Sequence, residues 1–304
     1  MTQITEKDII AIKKRTELLQ RLFDLLLSDL LTLYRNGNQL ELNPGEKQCE
    51  LPGPIPVWFI WWQGPKRMPP LVRACLSSLK RALPEDITSL HLITSRNIGQ
   101  YVTLPFWIKE KASAGQIDPT HLSDIVRMSL LDNYGGLYTD ATFYFTEAIN
   151  RPLLTDRDFF TLCDRKKDWN DLVRGRWSCN FFYKRTDPYG GSSDHTKTFF
   201  HFIKNALYLY WAKEDKLQDY YIFDYMIDSA YRNLPGVREI FDSLPDTNPK
   251  VADMVFALND SYSQKRLLEF TADTRIFKLS NKIPLMETTA DGKPTLYSWL
   301  INRQ

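Results

Sequence analysis

Cysteine and histidine are scarce in this sequence, and neither occurs at the spacing of a metal-binding motif. The 304 residues include four cysteines and four histidines. There is no CxxC pair, no HExxH motif and no pair of histidines at helical spacing, which argues against a zinc site. The scattered positions Cys49, Cys75, Cys163 and Cys179 also argue against a disulfide framework. Reduced thiols in a cytosolic protein fit this distribution better.

The sequence also lacks a charge imbalance and a long apolar run. Its 39 basic residues nearly balance 37 acidic residues, which leaves a formal net charge of +2. A nucleic-acid-binding protein of the usual kind would carry a basic stripe, so we predict no nucleic-acid partner. No apolar run approaches the length of a transmembrane helix, and the N-terminal residues are polar and charged, unlike a secretory signal. The sequence therefore predicts a cytoplasmic protein.

What the chain does contain is ample apolar material in alternating strand and helix patterns. Hydrophobic residues make up 43% of the chain and aromatic residues 13%, enough for a substantial core. Strand patterns cover Val57–Trp62 and Leu90–Thr94, and helix patterns cover Pro69–Ala82 and Leu104–Ala114. This alternation continues to Asp140 and predicts an α/β fold with a mostly parallel central sheet.

The first part of the chain reads as a separate helical extension. Residues Thr5–Arg35 form a dense helical pattern in which apolar and basic side chains are interleaved, and a polar segment rich in Pro and Gly follows. We therefore divide the chain into a helical extension with its linker, residues 1–50, and a main domain, residues 51–304. Two interpretations of the extension stay open. One is a helix or hairpin packed on the main domain, because so wide an apolar face usually indicates burial. The other is an amphipathic helix for a membrane surface or for oligomerisation.

The most informative stretch runs from Asp118 to Phe145. Asp118 and the proline after it form a helix-start signal, and Gly135 ends that helix as a left-handed C′ residue would. A short buried strand then delivers Asp140 to its carboxyl end, which is where open α/β sheets bind their ligands.

Two charged side chains of that helix, Asp124 and Arg127, are three positions apart and therefore share one face. With Asp140 they form a set that suits a sugar diphosphate, because carboxylates accept from hydroxyl groups or hold a divalent cation, and arginine donates to sugar or phosphate oxygens. A simpler interpretation is a helix-face salt bridge, worth about a few tenths of a kcal/mol, followed by an ordinary helix stop. The ordered combination of all these features favours the functional interpretation.

The run SDIVRMSLLDNYGGLYTDAT resembles the signature of DXD-type glycosyltransferases with the GT-A fold, a Rossmann-like nucleotide-sugar transferase fold. Together with WFIWWQGPKRMPPLVRACLSSLK, it most resembles the capsular polysaccharide synthesis protein family. The resemblance is good over residues 55–145 and patchy afterwards. It implies that a hexose is transferred from a nucleoside-diphosphate sugar, with a UDP-sugar favoured, to a glycan or lipid-linked oligosaccharide, with retention of the anomeric configuration. It leaves open a peripheral association with the inner face of the membrane.

The resemblance also implies roles for individual residues. Those expected to bind the donor are Trp62, Gln63, Asp124, Arg127, Tyr138, Asp140, Thr142 and Lys278. Those expected at the reacting carbon or the acceptor are Asp140, Asn180 and Asp224. Asn180 lies in a strand predicted over Trp177–Tyr183. Packing in the core is an equally good interpretation for Trp62, and a surface position is nearly as good for Lys278.

The sequence departs from the family pattern where a metal ion would bind. Asp140 is the expected ligand of Mn²⁺ or Mg²⁺, but the third DXD position is Thr142, and a hydroxyl is a far weaker ligand than a carboxylate. Phe277 replaces the histidine of the family's HKLxxK segment, and Asp224 stands where another histidine is expected. Two mechanisms stay open. A metal could be held by Asp140, water and the diphosphate, or the reaction could be metal-independent and rely on cationic side chains.

Two further functions are compatible with the sequence. A non-catalytic subunit that binds a nucleotide sugar or a glycan would explain the degenerate DXD motif. An effector that glycosylates a protein would share the spacing of the aspartate and the arginine.

Overall fold

A computed structural model describes residues 6–45, 47, 49–51, 53–166 and 171–303. Its strands are β1 Ile55–Ile60, β2 Thr88–Ile93, β3 Gly136–Thr139, β4 Phe143–Phe145, β5 Phe159–Thr161, β6 Phe181–Lys184 and β7 Ile276–Lys278. Its α-helices are α1 Glu6–Leu26, α2 Ser28–Arg35, α3 Pro70–Ala82, α4 Phe106–Ser113, α5 Pro119–Tyr134, α6 Arg151–Thr155, α7 Asp194–Lys213, α8 Ile222–Asn233, α9 Pro235–Asp242, α10 Gln264–Thr271 and α11 Leu296–Asn302.

The central sheet has five strands in the order β2-β1-β3-β6-β5. β1 pairs in parallel with β2 and β3, whereas β6 is antiparallel to both β3 and β5. Four of the five strands therefore point the same way, and the predicted α/β fold with a mostly parallel sheet is confirmed. The carboxyl ends of these four strands meet at one edge, where β6 begins. The arrangement is consistent with a GT-A-like fold.

Most predicted elements are shifted at their ends by one or two residues, as β2 and α4 are, and three differences are larger or bear on the site. The first strand starts at Ile55 and ends at Ile60, so Trp62 lies in the loop after it. The strand predicted over Trp177–Tyr183 is limited to β6, because the chain before Phe181 turns at the sheet edge instead of pairing. The long N-terminal pattern forms two helices that meet at Leu27. Its predicted start at Thr5 lies outside the described residues.

Two glycines allow α5 to end directly at the sheet. Gly135 ends the helix with φ 67° and ψ −153°, which is open to glycine but differs from the left-handed helical conformation predicted for it. At Gly136, φ is +88° and an added Cβ would lie 2.0 Å from the carbonyl oxygen of Pro56. β3 can therefore approach β1 only because residue 136 has no side chain.

A smaller antiparallel sheet, formed by β4 and β7, lies beside the central one. Tyr144 and Phe277 of this sheet pack into a second apolar cluster with Leu71 of α3 and Leu300 of α11. The main apolar cluster surrounds the central sheet. The pairing of β4 with β7 brings the C-terminal part of the chain to the turn that follows Asp140.

The N-terminal helices pack against α8 and α7. The ring of Phe23 stacks on Tyr225 of α8 at 5.3 Å between centroids, and Asp24 pairs with Arg232 at 2.6 Å. Phe23 and Leu27 are fully buried members of the main cluster. One face of the extension is therefore packed on the rest of the chain, which agrees with the interpretation of a helix or hairpin packed on the main domain. The division at residue 50 stays a prediction. None of the described helices combines the length and the apolar character needed to cross a bilayer.

Candidate active site

The first turn of α5 is held by its own sequence. The side chain of Asp118 accepts hydrogen bonds from the backbone N–H groups of Thr120 and His121 at 2.7 and 3.1 Å. Its second oxygen bonds Nδ1 of His121 at 2.7 Å. Because this N-cap satisfies the free N–H groups of the first turn, the start of α5 is fixed, and with it the direction of Asp124 and Arg127.

Arg127 is held by contacts to several neighbouring segments. Its guanidinium donates to Asp124, to the carbonyl oxygen of Cys179 and, at 3.4 Å, to Oδ1 of Asn180. It also lies over the ring of Tyr138, 4.8 Å from the centroid. Burial opposes its charge, but the carboxylate of Asp124 raises the pKa of the guanidinium above its ordinary value, so it stays a cation. Arg127 thus joins α5 to β3 and to the chain before β6.

The ion pair formed by Asp124 and Arg127 is buried, unlike a surface salt bridge on a helix face. Arg127 is only 2% exposed, and neither residue is among those that line the cavity beside Asp140. Asp124 bonds Arg127, and Arg127 in turn contacts Cys179 and Asn180, which line that cavity. The two predicted donor-binding residues are therefore placed to position the wall of the cavity, and direct contact with a donor stays a prediction.

Asp140 lies at the end of β3 in a small polar cluster. Its Oδ1 accepts from the backbone N–H and the hydroxyl of Thr142, at 2.9 and 2.8 Å, and from Nζ of Lys278 at 3.0 Å. Burial alone would raise the pKa of Asp140, but the ammonium of Lys278 and the N–H of Thr142 lower it to about 2. The carboxylate is therefore ionised at neutral pH and is already neutralised by a lysine. Its backbone N–H donates to the carbonyl oxygen of Asn180 at 3.0 Å, which joins this cluster to that of Arg127.

The donor set around Asp140 does not fit a protein-bound divalent cation. It consists of one carboxylate and one hydroxyl, and both already bond the ammonium of Lys278. A Mg²⁺ ion needs at least one or two carboxylates besides water and substrate phosphates, and the one carboxylate here is already occupied by an ammonium. In the described part of the chain, the one group of three potential ligands within reach of each other is Glu41, Asp132 and His201. It lies towards the C-terminal end of α5, away from Asp140.

A cavity of about 270 Å³ opens beside Asp140 and Lys278 at the carboxyl edge of the sheet. Asn180 and Asp224 line it, together with Trp177, whose indole N–H donates to Oδ1 of Asp224 at 2.9 Å. Burial raises the pKa of Asp224 to about 6. Apolar walls with a few polar groups of perturbed pKa are typical of a binding site for a small polar ligand.

A second cavity, of about 260 Å³, lies where β1 and β2 end. Trp62 and Gln63 line it, as do Lys66, Arg67 and Arg96. The indole N–H of Trp62 donates to Oγ of Ser123 at 2.8 Å and to the carbonyl oxygen of Pro119 at 3.0 Å, which fixes the ring against α5. An aromatic ring beside three cationic side chains suits a nucleotide. The three basic residues were not predicted from the sequence, although they follow strand ends.

Other residues that line the cavity beside Lys278 were not predicted as site residues, because no recognisable motif surrounds them in the sequence. Asp164 and Thr247 line it, and each has a buried side-chain oxygen that bonds no group of the described residues. Tyr221, at the start of α8, presents a half-exposed ring. Asp164 begins a run of charged residues, which is typical of a solvated loop, and Lys167 and Asp168 of that run lie outside the described residues.

The predicted site residues thus converge on one edge of the sheet. Asp140, Thr142 and Lys278 form one cluster, and Arg127 with Asp124, Tyr138 and Asn180 forms the next. Asp224 and Asn180 line the cavity beside Lys278. Trp62 and Gln63 line the cavity at the ends of β1 and β2.

Comparison with known proteins gives one match. A family model described as capsular polysaccharide synthesis protein matches residues 6–298. No curated protein and no solved structure matches the chain.

Proposed function

Because the chain belongs to the capsular polysaccharide synthesis protein family, we propose that it is a glycosyltransferase of polysaccharide synthesis. It transfers a hexose from a nucleoside-diphosphate sugar, with a UDP-sugar favoured, to a glycan or lipid-linked oligosaccharide. The observation that supports this most is the position of Asp140 and Lys278, joined at 3.0 Å beside a cavity at the carboxyl edge of the sheet. The aromatic and cationic cavity at Trp62 supplies a place for the nucleotide.

In this proposal the nucleotide occupies the cavity at Trp62 and Gln63, and the sugar extends past Asp140 towards Asn180. The bond between the anomeric carbon and the diphosphate oxygen breaks, and its electron pair leaves with the diphosphate. A hydroxyl oxygen of the acceptor bonds to the anomeric carbon. Retention, as the resemblance implies, requires attack from the side of the leaving group, so the hydroxyl proton passes to a diphosphate oxygen.

The protein contributes position and charge to this step. Arg127 holds Asn180 and the Cys179 carbonyl at the wall of the cavity. Above pH about 6, ionised Asp224 accepts a hydrogen bond from the acceptor and orients it. Fixed groups aimed at developing charge in a site that excludes water are usually the largest contribution to catalysis.

The test is turnover of a panel of UDP- and GDP-sugars, followed by Asp140→Asn. We expect the variant to lose turnover by a factor on the order of a hundred or more while its circular dichroism is unchanged. Asp86→Asn, which alters an exposed carboxyl paired with Arg151, is the control and should retain turnover. Equal turnover by wild type and Asp140→Asn would contradict the proposed site.

A second candidate is a non-catalytic subunit that binds a nucleotide sugar or a glycan, which is favoured by Thr142 at the third DXD position. It predicts that nucleotides raise the melting temperature although no donor in the panel is hydrolysed or transferred. Any turnover that depends on Asp140 would rule it out.

A further inference from the structure

We propose that the ammonium of Lys278 takes the place of a divalent cation in this site, so that sugar transfer is metal-independent. The inference rests on the proposed function, because it concerns how the leaving diphosphate is stabilised. It departs from the metal dependence that the resemblance to DXD-type enzymes implies.

The first argument is the position of the ammonium. Nζ of Lys278 bonds Oδ1 of Asp140 at 3.0 Å and also the hydroxyl of Thr142. It therefore contacts the first and the third DXD positions together, which is where a shared cation would lie. An ammonium has three N–H donors. Two are used by Asp140 and Thr142, and the third remains for an oxygen of the diphosphate.

The second argument is that the backbone fixes this lysine. Lys278 is paired with Phe143 across the small sheet. Its own N–H donates to the carbonyl of Val251 at 2.7 Å, and the N–H of Leu279 donates to the carbonyl of Thr142 at 2.9 Å. Residue 278 is thus held next to the turn that carries Asp140. Lys278 also lines the cavity, where its side chain is 31% exposed and accessible to a ligand.

The third argument is the direction of the neighbouring side chain. Successive residues of a strand point to opposite faces, so β7 directs Lys278 to the site and Phe277 away from it. Phe277 is fully buried in the second apolar cluster, with its ring 6.3 Å from that of Phe270. A metal at Asp140 would therefore find neither a carboxylate at residue 142 nor a ligand at residue 277.

Departure of the diphosphate requires a positive charge near the oxygen that leaves, and a metal ion is not the only group that can supply it. When the bond to the anomeric carbon breaks, the diphosphate gains a negative charge on the oxygen that leaves. A lysine in a fixed position can stabilise that charge as a point cation, as a divalent ion would in a metal-dependent enzyme. Asp140 keeps the ammonium in place, and Oδ2 of Asp140 accepts no hydrogen bond from the described residues, which leaves it for a hydroxyl of the donor.

The test uses the full chain with whichever nucleotide sugar it turns over. We expect turnover in excess chelator to equal turnover with Mn²⁺. Lys278→Ala should lower it by a factor on the order of a hundred in chelator, whereas Lys265→Ala, an exposed lysine on α10, should leave it unchanged. The double variant Thr142→Asp/Lys278→Ala supplies the missing carboxylate and removes the competing ammonium, so Mn²⁺ should restore part of its turnover.

A calorimetric titration with MnCl2 alone gives an independent readout. The double variant should bind Mn²⁺ at one more site than wild type. Loss of wild-type turnover in chelator with recovery in Mn²⁺, or a wild-type Mn²⁺ site that Asp140→Asn abolishes, would overturn the inference.

If no nucleotide sugar is turned over, the proposed function fails separately, and binding of UDP in chelator decides the inference. UDP should then raise the melting temperature of wild type but not of Lys278→Ala. A requirement for Mn²⁺, or no effect of UDP under either condition, would overturn it.

Discussion

At the scale of single residues, the protonation state of the buried Asp224 carboxyl affects both the stability of the fold and the charge of the cavity that it lines. Burial raises its pKa from 3.8 to about 6, and the indole N–H of Trp177 opposes part of this rise. A carboxyl with a raised pKa stabilises the fold fully below the unfolded value of 3.8, and that stabilisation is lost as the pH rises through about 6. Neutral pH therefore ionises a group that the fold would keep protonated.

Asp224→Asn should consequently stabilise the protein at pH 7. The rise from 3.8 to about 6 corresponds to a penalty of about 3 kcal/mol at neutral pH. Asparagine keeps the oxygen that accepts from Trp177 and cannot ionise, so it should recover much of this amount. Urea unfolding of wild type and variant at pH 4 and pH 7 measures this gain in unfolding free energy. The gain should be present at pH 7 and small at pH 4, and Asp194→Asn, in an exposed carboxyl, should show no such difference. A variant that is less stable at both pH values would contradict the assignment.

At the scale of secondary-structure elements, local signals explain which predictions succeeded. α5 could be predicted because Asp118 caps it and Gly135 ends it, and both signals lie within the segment. β4 and β7 have three residues each, and their pairing joins residues more than 130 positions apart. No local pattern specifies such a pair, so the sequence indicated neither the partner of Phe143–Phe145 nor its separate sheet.

The contact between β3 and β1 depends on one residue of β3, and Gly136→Ala tests it. The positive φ and the backbone overlap with Pro56 cannot both be relieved without moving a strand. The strained φ alone costs about 1–3 kcal/mol, and we expect the unfolding free energy to fall by at least that amount. Gly99→Ala is the matched control, because Gly99 has no positive φ and an added Cβ would contact nothing within 4 Å. Equal stability of the two variants would show that the strands do not meet as described.

Helix α1 carries a second apolar face besides the one that packs on α8. Leu18, Leu22 and Leu25 recur at helical spacing on the outward side and are 65%, 43% and 73% exposed. Exposed Lys14 and Arg21 lie on the same side. Exposed Glu17 lies one turn from both, so this side carries a net positive charge beside its leucines, which matches anionic headgroups. We therefore predict that this face binds a membrane surface, which was one of the two interpretations of the extension.

We accordingly expect the full chain to co-sediment with vesicles of equal parts phosphatidylcholine and phosphatidylglycerol, and less with phosphatidylcholine alone. Leu18→Ser/Leu25→Ser should weaken this binding by roughly tenfold or more, because it removes two apolar side chains that would enter the bilayer. Leu268→Ser/Phe256→Ser, in side chains that are equally exposed elsewhere, should bind as wild type. Binding that is unaffected by the first pair, or a wild-type dimer that the first pair dissociates, would contradict the expectation.

At the scale of the whole molecule, the residues of the candidate site that are close in sequence could be placed together before the structure was known. Asp124, Arg127 and Asp140 lie within one segment, and helix and strand periodicity alone brings them to one edge. Lys278 joins Asp140 from 138 positions away, and only the resemblance suggested it. The residues that line the cavity beside Lys278 come from distant parts of the sequence, which only tertiary packing brings together. Asp164 and Thr247 lie in such segments, and periodicity could not identify them.

The packing of the extension leads to a prediction about the chain as a unit. Phe23, Leu27, Leu30, Leu31 and Tyr34 are buried in the main apolar cluster. At about 1.5–3 kcal/mol for each buried side chain, their removal would cost roughly 10 kcal/mol, which is comparable to the usual total of about 5–15 kcal/mol. Residues 51–304 alone should therefore lose the cooperative thermal transition and expose an apolar face on α7 and α8.

A shorter truncation is the control for this experiment. A chain that starts at Thr16 removes only the part of α1 whose described side chains are exposed, and it should keep the cooperative transition measured by circular dichroism and calorimetry. If residues 51–304 unfold cooperatively within a few degrees of the full chain, the extension is an independent domain, and its packed face contributes little to stability. If the chain that starts at Thr16 unfolds cooperatively and residues 51–304 do not, helices α1 and α2 form one folding unit with the sheet that carries Asp140.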